Sequence, residues 1–196
     1  LATLEDMDPP ATQMVYDGVV ESGAPLATWR HEPITPSTNL RATESSVELP
    51  LKDWPSAEVL EQQRTACDDR ALEERLRRRR DIRRELGDGE SYALPLHVWS
   101  LGDAVLVGTM AEAYSTLQTK LRKRFPNHAI IVMHLINGSI GYLPPADLYD
   151  ADVYQVEQTP FARGGLEAVV EELSRLIQVS HDSDPSSVAS AAQQAN

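Results

Sequence analysis

Apolar side chains follow no regular spacing until residue 38, and from there the chain reads as a series of distinct elements. Residues 38–51 alternate loosely (Leu40, Ala42, Val47, Leu49, Leu51), the pattern of a half-buried strand. Trp54-Pro55-Ser56 then opens a helical stretch, with Ser56 placed to cap it and Glu58 near the positive end of its dipole. The spacing predicts helix as far as Leu86, broken once over 66–70 and stopped by Gly87-Asp88-Gly89. Residues 92–101 and 104–109 are β-rich runs joined by Gly102-Asp103, a hairpin signal. Residues 111–125 return to helical spacing (Leu117, Leu121, Phe125), with basic residues in the last turn and Pro126-Asn127 as the stop. Residues 128–136 form a short apolar run suited to a buried strand, and the Gly- and Pro-rich 137–145 reads as a loop. A last helix is predicted over 164–177, with Leu166, Val169, Val170, Leu173, Leu176 and Ile177 on one face.

This order of elements predicts a mixed α/β (α+β) fold, a layered sheet with helices packed on it. Residues 1–37, rich in proline and turn formers, are expected to be an irregular extended segment. Residues 38–179 carry the folded part, and 180–196 a disordered polar tail too poor in apolar residues to bury a core. The N-terminal segment and the apolar strand at 129–136 both read as pieces of a larger sheet. The opening Leu-Ala-Thr-Leu-Glu-Asp-Met has no initiator Met, basic region or apolar core of a leader, and reads as a start within a longer protein.

The composition, 41% hydrophobic and 24% charged over 196 residues, is that of a globular protein. No run approaches the roughly 18 apolar residues of a transmembrane segment. The single cysteine, Cys67, excludes an internal disulfide and a cysteine-based zinc cluster, and leaves the compartment open. A formal net charge of −12 argues against nucleic acid as a partner, because that affinity comes from neutralising phosphates. The arginine-rich run 75–84 is the local exception. Glu73 and Glu74 stand four residues before Arg77 and Arg78, so the run reads as a solvated, ion-paired helix face; a patch for anionic surfaces is the other reading.

None of His31, His97, His128, His134 and His181 is paired at a metal-binding spacing, and His97 and His134 read as sheet histidines. Ser139 lies in Gly-Ser-Ile-Gly, one residue short of a nucleophile elbow, and reads as a turn residue. Glu112 stands where an apolar strand gives way to a predicted helix, and Tyr142 on a Gly/Pro loop after another strand. Glu112 could stabilise the helix start or serve a site, and Tyr142 has the same two readings.

Further motifs follow in order: Ser100-Leu101-Gly102-Asp103, Met110-Ala111-Glu112, Asn137-Gly138, Gly141-Tyr142-Leu143-Pro144, Tyr149 with Tyr154, and Phe161 to Glu167 with its Gly164-Gly165 pair. Together with Leu49-Pro50-Leu51 and Pro55-Ser56-Ala57-Glu58, they resemble the C-terminal part of the catalytic domain of the neutral, non-lysosomal ceramidases, over about two thirds of the chain. Met110 and Ala111 stand where that family has Pro-Gly, and Gln155 where many relatives have an acidic residue. The resemblance implies part of a zinc-dependent amide hydrolase that cleaves N-acyl sphingosine, or a related lipid amide, to fatty acid and amine. It implies Glu112 and Tyr142 as zinc ligands, with two histidines and a serine supplied by the missing N-terminal part of the same enzyme. The alternative is a non-catalytic subunit or degenerate homologue that serves as a binding module.

Overall fold

The computed structural model describes residues 39–102 and 104–180, together with the backbone of 13–19, 25–30 and 181–182. Two compact units divide at Thr38 and Asn39. In the first, strands β1 (Gln13–Val19) and β2 (Pro25–Arg30) pair antiparallel. The irregular segment expected over 1–37 therefore contains a regular hairpin.

The second unit is mixed α+β. Strands β3 (Leu40–Pro50), β4 (Ser91–Leu101) and β5 (Ala104–Thr109) are consecutive antiparallel neighbours. Between β3 and β4 lie helices α1 (Ala57–Thr65) and α2 (Arg70–Leu86). The Gly102-Asp103 link joins Leu101 to Ala104 as register partners, with Gly102 at a φ of 64° that suits glycine. The helix break predicted over 66–70 falls between α1 and α2. Ser56 accepts from the Val59 amide and Asp69 from the Leu72 amide, so each helix has a side-chain cap.

Past β5 the structure departs from the predicted order. Residues 111–125 are not one helix: β6 (Glu112–Ala113) comes first, and α3 (Thr116–Arg124) begins only after it. Helix α3 carries the crossover to β7 (Ala129–Met133), which pairs parallel to β5 and completes the order β3-β4-β5-β7. That strand is an edge rather than a buried centre. Ile130 is buried in it while Ile131 is exposed. The expected loop at 137–145 contains β8 (Tyr142–Leu143), which pairs parallel to β6. Neither β6 nor β8 has the length to show a period, and only the partner defines them.

A short 3₁₀ turn and helix α4 (Tyr154–Gln158) lead to α5 (Gly165–Asp182). Helix α5 packs on β3 and β4, and α3 packs on β7 and α5, so both helices cover one face of the sheet. The core between them is Leu94, Leu96, Val98, Val105, Val107 and Ile130 from the strands, against Leu117, Leu121, Val169 and Leu173 from the helices. Helix α5 continues past residue 179, and Arg41 of β3 donates to the Ser180 carbonyl oxygen at 2.7 Å. The boundary expected at 180 thus moves to 182, and the rest of the expected tail lies outside the described residues. Among the described residues no helix is long and apolar enough to cross a membrane.

Every arginine of the 75–84 run has a carboxylate partner. Glu74 pairs with both Arg77 and Arg78, Glu157 of α4 with Arg75 and Arg79, Glu61 of α1 with Arg80, Asp88 with Arg83 and Asp81 with Arg84. Glu73, expected to meet Arg77, instead reaches Arg64 of α1 at 2.7 Å. The run ties α2 to its neighbours as much as it solvates a face.

Hydrogen bonds from Arg64 and Arg80 pull the Glu61 carboxyl down from an ordinary 4.5 to about 2, and those from Arg77 and Arg78 do the same to Glu74. A depressed carboxyl stabilises the fold fully above its unfolded value and loses that contribution as pH falls through its folded one. Thermal stability should therefore fall between about pH 4.5 and 2, with a shallower slope in Glu61→Gln, as scanning calorimetry across that window would show.

Candidate functional site

The parallel pairing of β6 with β8 makes Glu112 and Tyr142 direct register partners, followed by Ala113 and Leu143. The Glu112 amide donates to the Gly141 carbonyl oxygen at 2.9 Å and the Tyr114 amide to that of Leu143 at 3.2 Å, a ladder of two bonds. Glu112 therefore sits in a strand, not in the first turn of a helix, which removes the helix-start reading of that residue.

Three features bring the second strand to this place. Gly108 in β5 lets residue 136 cross close by: a Cβ there would lie 2.2 Å from the Ile136 Cδ1. The Ile136 amide then donates to the Thr109 carbonyl oxygen at 3.1 Å. Leu135 and Asn137 turn the chain with φ of 59°, a left-handed conformation that asparagine tolerates and leucine holds at a cost. Gly141 has φ of 92°, and a Cβ on it would press on Pro160 Cδ at 3.1 Å and the Gln158 carbonyl at 3.3 Å. Fully buried Thr159 then fixes β8. Its hydroxyl donates to the Tyr142 carbonyl oxygen at 2.6 Å and accepts from the Phe161 amide at 3.2 Å.

Glu112 and Tyr142 open on one cavity of about 380 Å³. Its wall is completed by Arg77, Arg78, Asp81 and Ile82 of α2, Ser139 and Gly141 of the loop, and Tyr154 and Gln158 of α4. The last two stand four apart and so share a face of α4. The Tyr154 ring meets that of Tyr142 edge-on, with centroids 6.0 Å apart at 70°. Arg78 donates to the Tyr154 hydroxyl at 3.2 Å, and the Arg75 guanidinium lies 5.7 Å from the Tyr154 ring centroid. Burial, and then the charge of Glu112, push the Tyr142 phenol above its ordinary 10.0, so at neutral pH it is a protonated donor.

Ser139, read as a turn residue, is exposed on the loop and shares the cavity with Glu112 and Tyr142. His97, 6% exposed in β4, has Nδ1 3.4 Å from Glu44 across the strand pair. His134 follows β7 and accepts from the Ala113 amide on Nδ1 at 3.3 Å, next to β6 rather than inside the sheet. Among the described residues no three His, Cys, Asp or Glu side chains converge as a metal site. Nothing in the sequence pattern placed Arg77, Arg78, Tyr154 or Gln158 beside Glu112; their positions in the chain are remote from it, and only packing brings them there. No known family model matches the chain, and no curated protein matches it.

Because Thr159 anchors β8, Thr159→Val should leave the Tyr142 carbonyl and the Phe161 amide without their partner. The expected loss is about 2 kcal/mol, a drop of ~5 °C in melting temperature at this chain length. Unchanged melting would mean that the ladder alone holds the strand.

Proposed function

We propose that this chain is part of a zinc-dependent amide hydrolase of the neutral ceramidase type, and that it contributes Glu112 and Tyr142 to the metal. Its substrate would be N-acyl sphingosine or a related lipid amide. The observation that carries the reading is the β6–β8 register, which makes two residues 30 positions apart direct partners beside one cavity. A carboxylate and a phenol oxygen suit zinc, which takes nitrogen and oxygen ligands in a small shell. Two such oxygens are part of a shell, and the histidine donors would come from the missing N-terminal part of the enzyme. When bound, zinc would polarise the amide carbonyl and lower the pKa of a water toward ~7.

The chain's own residues prepare the place for that chemistry. Glu112 is held at its backbone by the ladder bond to Gly141, so its carboxylate is presented from a fixed strand. The Tyr142 phenol, raised by burial and by Glu112, must lose its proton to become a strong ligand, and the positive charge of a bound metal would favour that loss. Tyr154, oriented by Arg78, keeps a hydroxyl in the same cavity. Ile82 and the two tyrosine rings give the cavity its apolar surface.

Two measurements test the reading. The purified 196-residue chain should not turn over a fluorescent N-acyl sphingosine, since its histidines match no ligand pattern. In the complete enzyme, Glu112→Gln and Tyr142→Phe should each lower kcat by at least the ~10–100-fold that changes outside the ligand set produce, with melting unchanged. Chelator-sensitive turnover by the isolated chain would overturn the need for histidines from outside it, and near-normal turnover in either variant would overturn the assignment of Glu112 and Tyr142 to the metal.

A further inference from the structure

We infer that Asn137 is a site of spontaneous covalent modification, deamidating through a cyclic imide with Gly138 and so lengthening the loop that positions Tyr142. Asn137-Gly138 is the chain's one Asn-Gly pair; Asn39 and Asn127 precede leucine and histidine, and Asn196 is terminal. The reaction is fastest where the residue after the asparagine has no side chain, because a Cβ there crowds the ring as it closes. It also needs a side-chain amide and a following backbone N–H that are not tied up. Both conditions hold. Asn137 is exposed, with φ of 59°, in the turn after Ile136. Among the described residues neither its side-chain amide nor the Gly138 N–H has a hydrogen-bond partner. A cavity of about 300 Å³, lined also by Asp81, Glu85 and Met110, opens on both residues and gives water access to them.

The Gly138 nitrogen attacks the Asn137 side-chain carbonyl carbon and gives up its proton as the new N–C bond forms. The C–NH₂ bond breaks and ammonia leaves, closing a succinimide. Water then adds to one imide carbonyl, and the C–N bond to that carbonyl breaks. Opening at the side-chain carbonyl gives aspartate. Opening at the main-chain carbonyl gives isoaspartate, whose backbone runs through the side chain and is one methylene longer.

The longer backbone has little room. Ile136 is held by its amide bond to the Thr109 carbonyl oxygen at 3.1 Å, and Ile140 is fully buried in the core. Only Asn137, Gly138 and Ser139 lie between these two fixed points. Gly138 lies against the Met110 methyl, where a Cβ would approach to 2.6 Å. The displacement passes to Gly141 and Tyr142, whose pairing with β6 rests on two backbone hydrogen bonds. Both products also place a carboxylate beside Asp81 and Glu85, which repels the loop from α2.

The test ages the full 196-residue chain in mildly alkaline buffer and follows it by peptide mapping with mass spectrometry. Residue 137 should exchange ammonia for water at least ~10-fold faster than Asn39 or Asn127, a barrier lower by about 1.4 kcal/mol. Isoaspartyl methyltransferase should label the product. The isoaspartyl form, separated by anion exchange, should melt ~2–4 °C below the fresh chain, with its Tyr142 ring resonance displaced. Asn137→Gly, which suits the left-handed turn, should show neither change on ageing. Asn137→Asp adds the charge without the extra methylene, and should displace the Tyr142 resonance less than the isoaspartyl form does. Equal rates at the three asparagines would overturn the inference. So would an isoaspartyl form that matches the fresh chain in melting and Tyr142 resonance, or Asn137→Gly changing at the wild-type pace. None of these readouts involves a metal or turnover, so the hydrolase reading stands or falls apart from them.

Discussion

Two backbone hydrogen bonds between β6 and β8 are the constraint on which the candidate site depends. Two-residue strands have no stability of their own, so their pairing must be imposed from outside. The parallel β5–β7 pair does so. Both strands run in the same direction, and the segments that leave them, 110–113 and 134–143, emerge at the same end of the sheet. Glu112 and Tyr142 are then brought to one edge by topology rather than by attraction between them. Their side chains follow where the backbone register puts them, and the Tyr142 phenol, partly buried and near the Glu112 charge, is held in its protonated form.

Local sequence choices serve that constraint at particular atoms. Gly108 gives room for Ile136, and without that approach the chain could not turn back over the end of β5. Gly141 accepts a backbone conformation and a closeness to Pro160 that a side chain would forbid. Thr159 spends both capacities of its hydroxyl on holding β8 and the start of the following segment. Helix α2 closes the cavity from the other side. Its arginines reach α1 through Glu61 and α4 through Glu157, so the wall that carries Arg77, Arg78 and Ile82 is fixed at both flanks. Exposed ion pairs contribute little stability singly, and their use here is to set the position of one helix against two others.

The sequence by itself determined the elements whose signals are local. The β4–β5 hairpin was legible in Gly102-Asp103 between β-rich runs, the α1–α2 pair in Ser56, the break over 66–70 and Gly87, and α5 in its single apolar face. Glu112 and Tyr142 were legible as candidates through the motifs that resemble the ceramidases, while their own surroundings left two readings open. Tertiary structure decided the rest. Residues 111–115 were read as helix because two residues of strand have no period, and 128–136 as buried because apolar content does not tell an edge from a centre. Arg77, Arg78, Tyr154 and Gln158 carry no spacing that points to Glu112, for they meet it only after β5, α3 and β7 have set the sheet. Periodicity records what a residue does with neighbours three or four positions away; a site assembled from partners 30 or more positions apart exists only once the chain has folded.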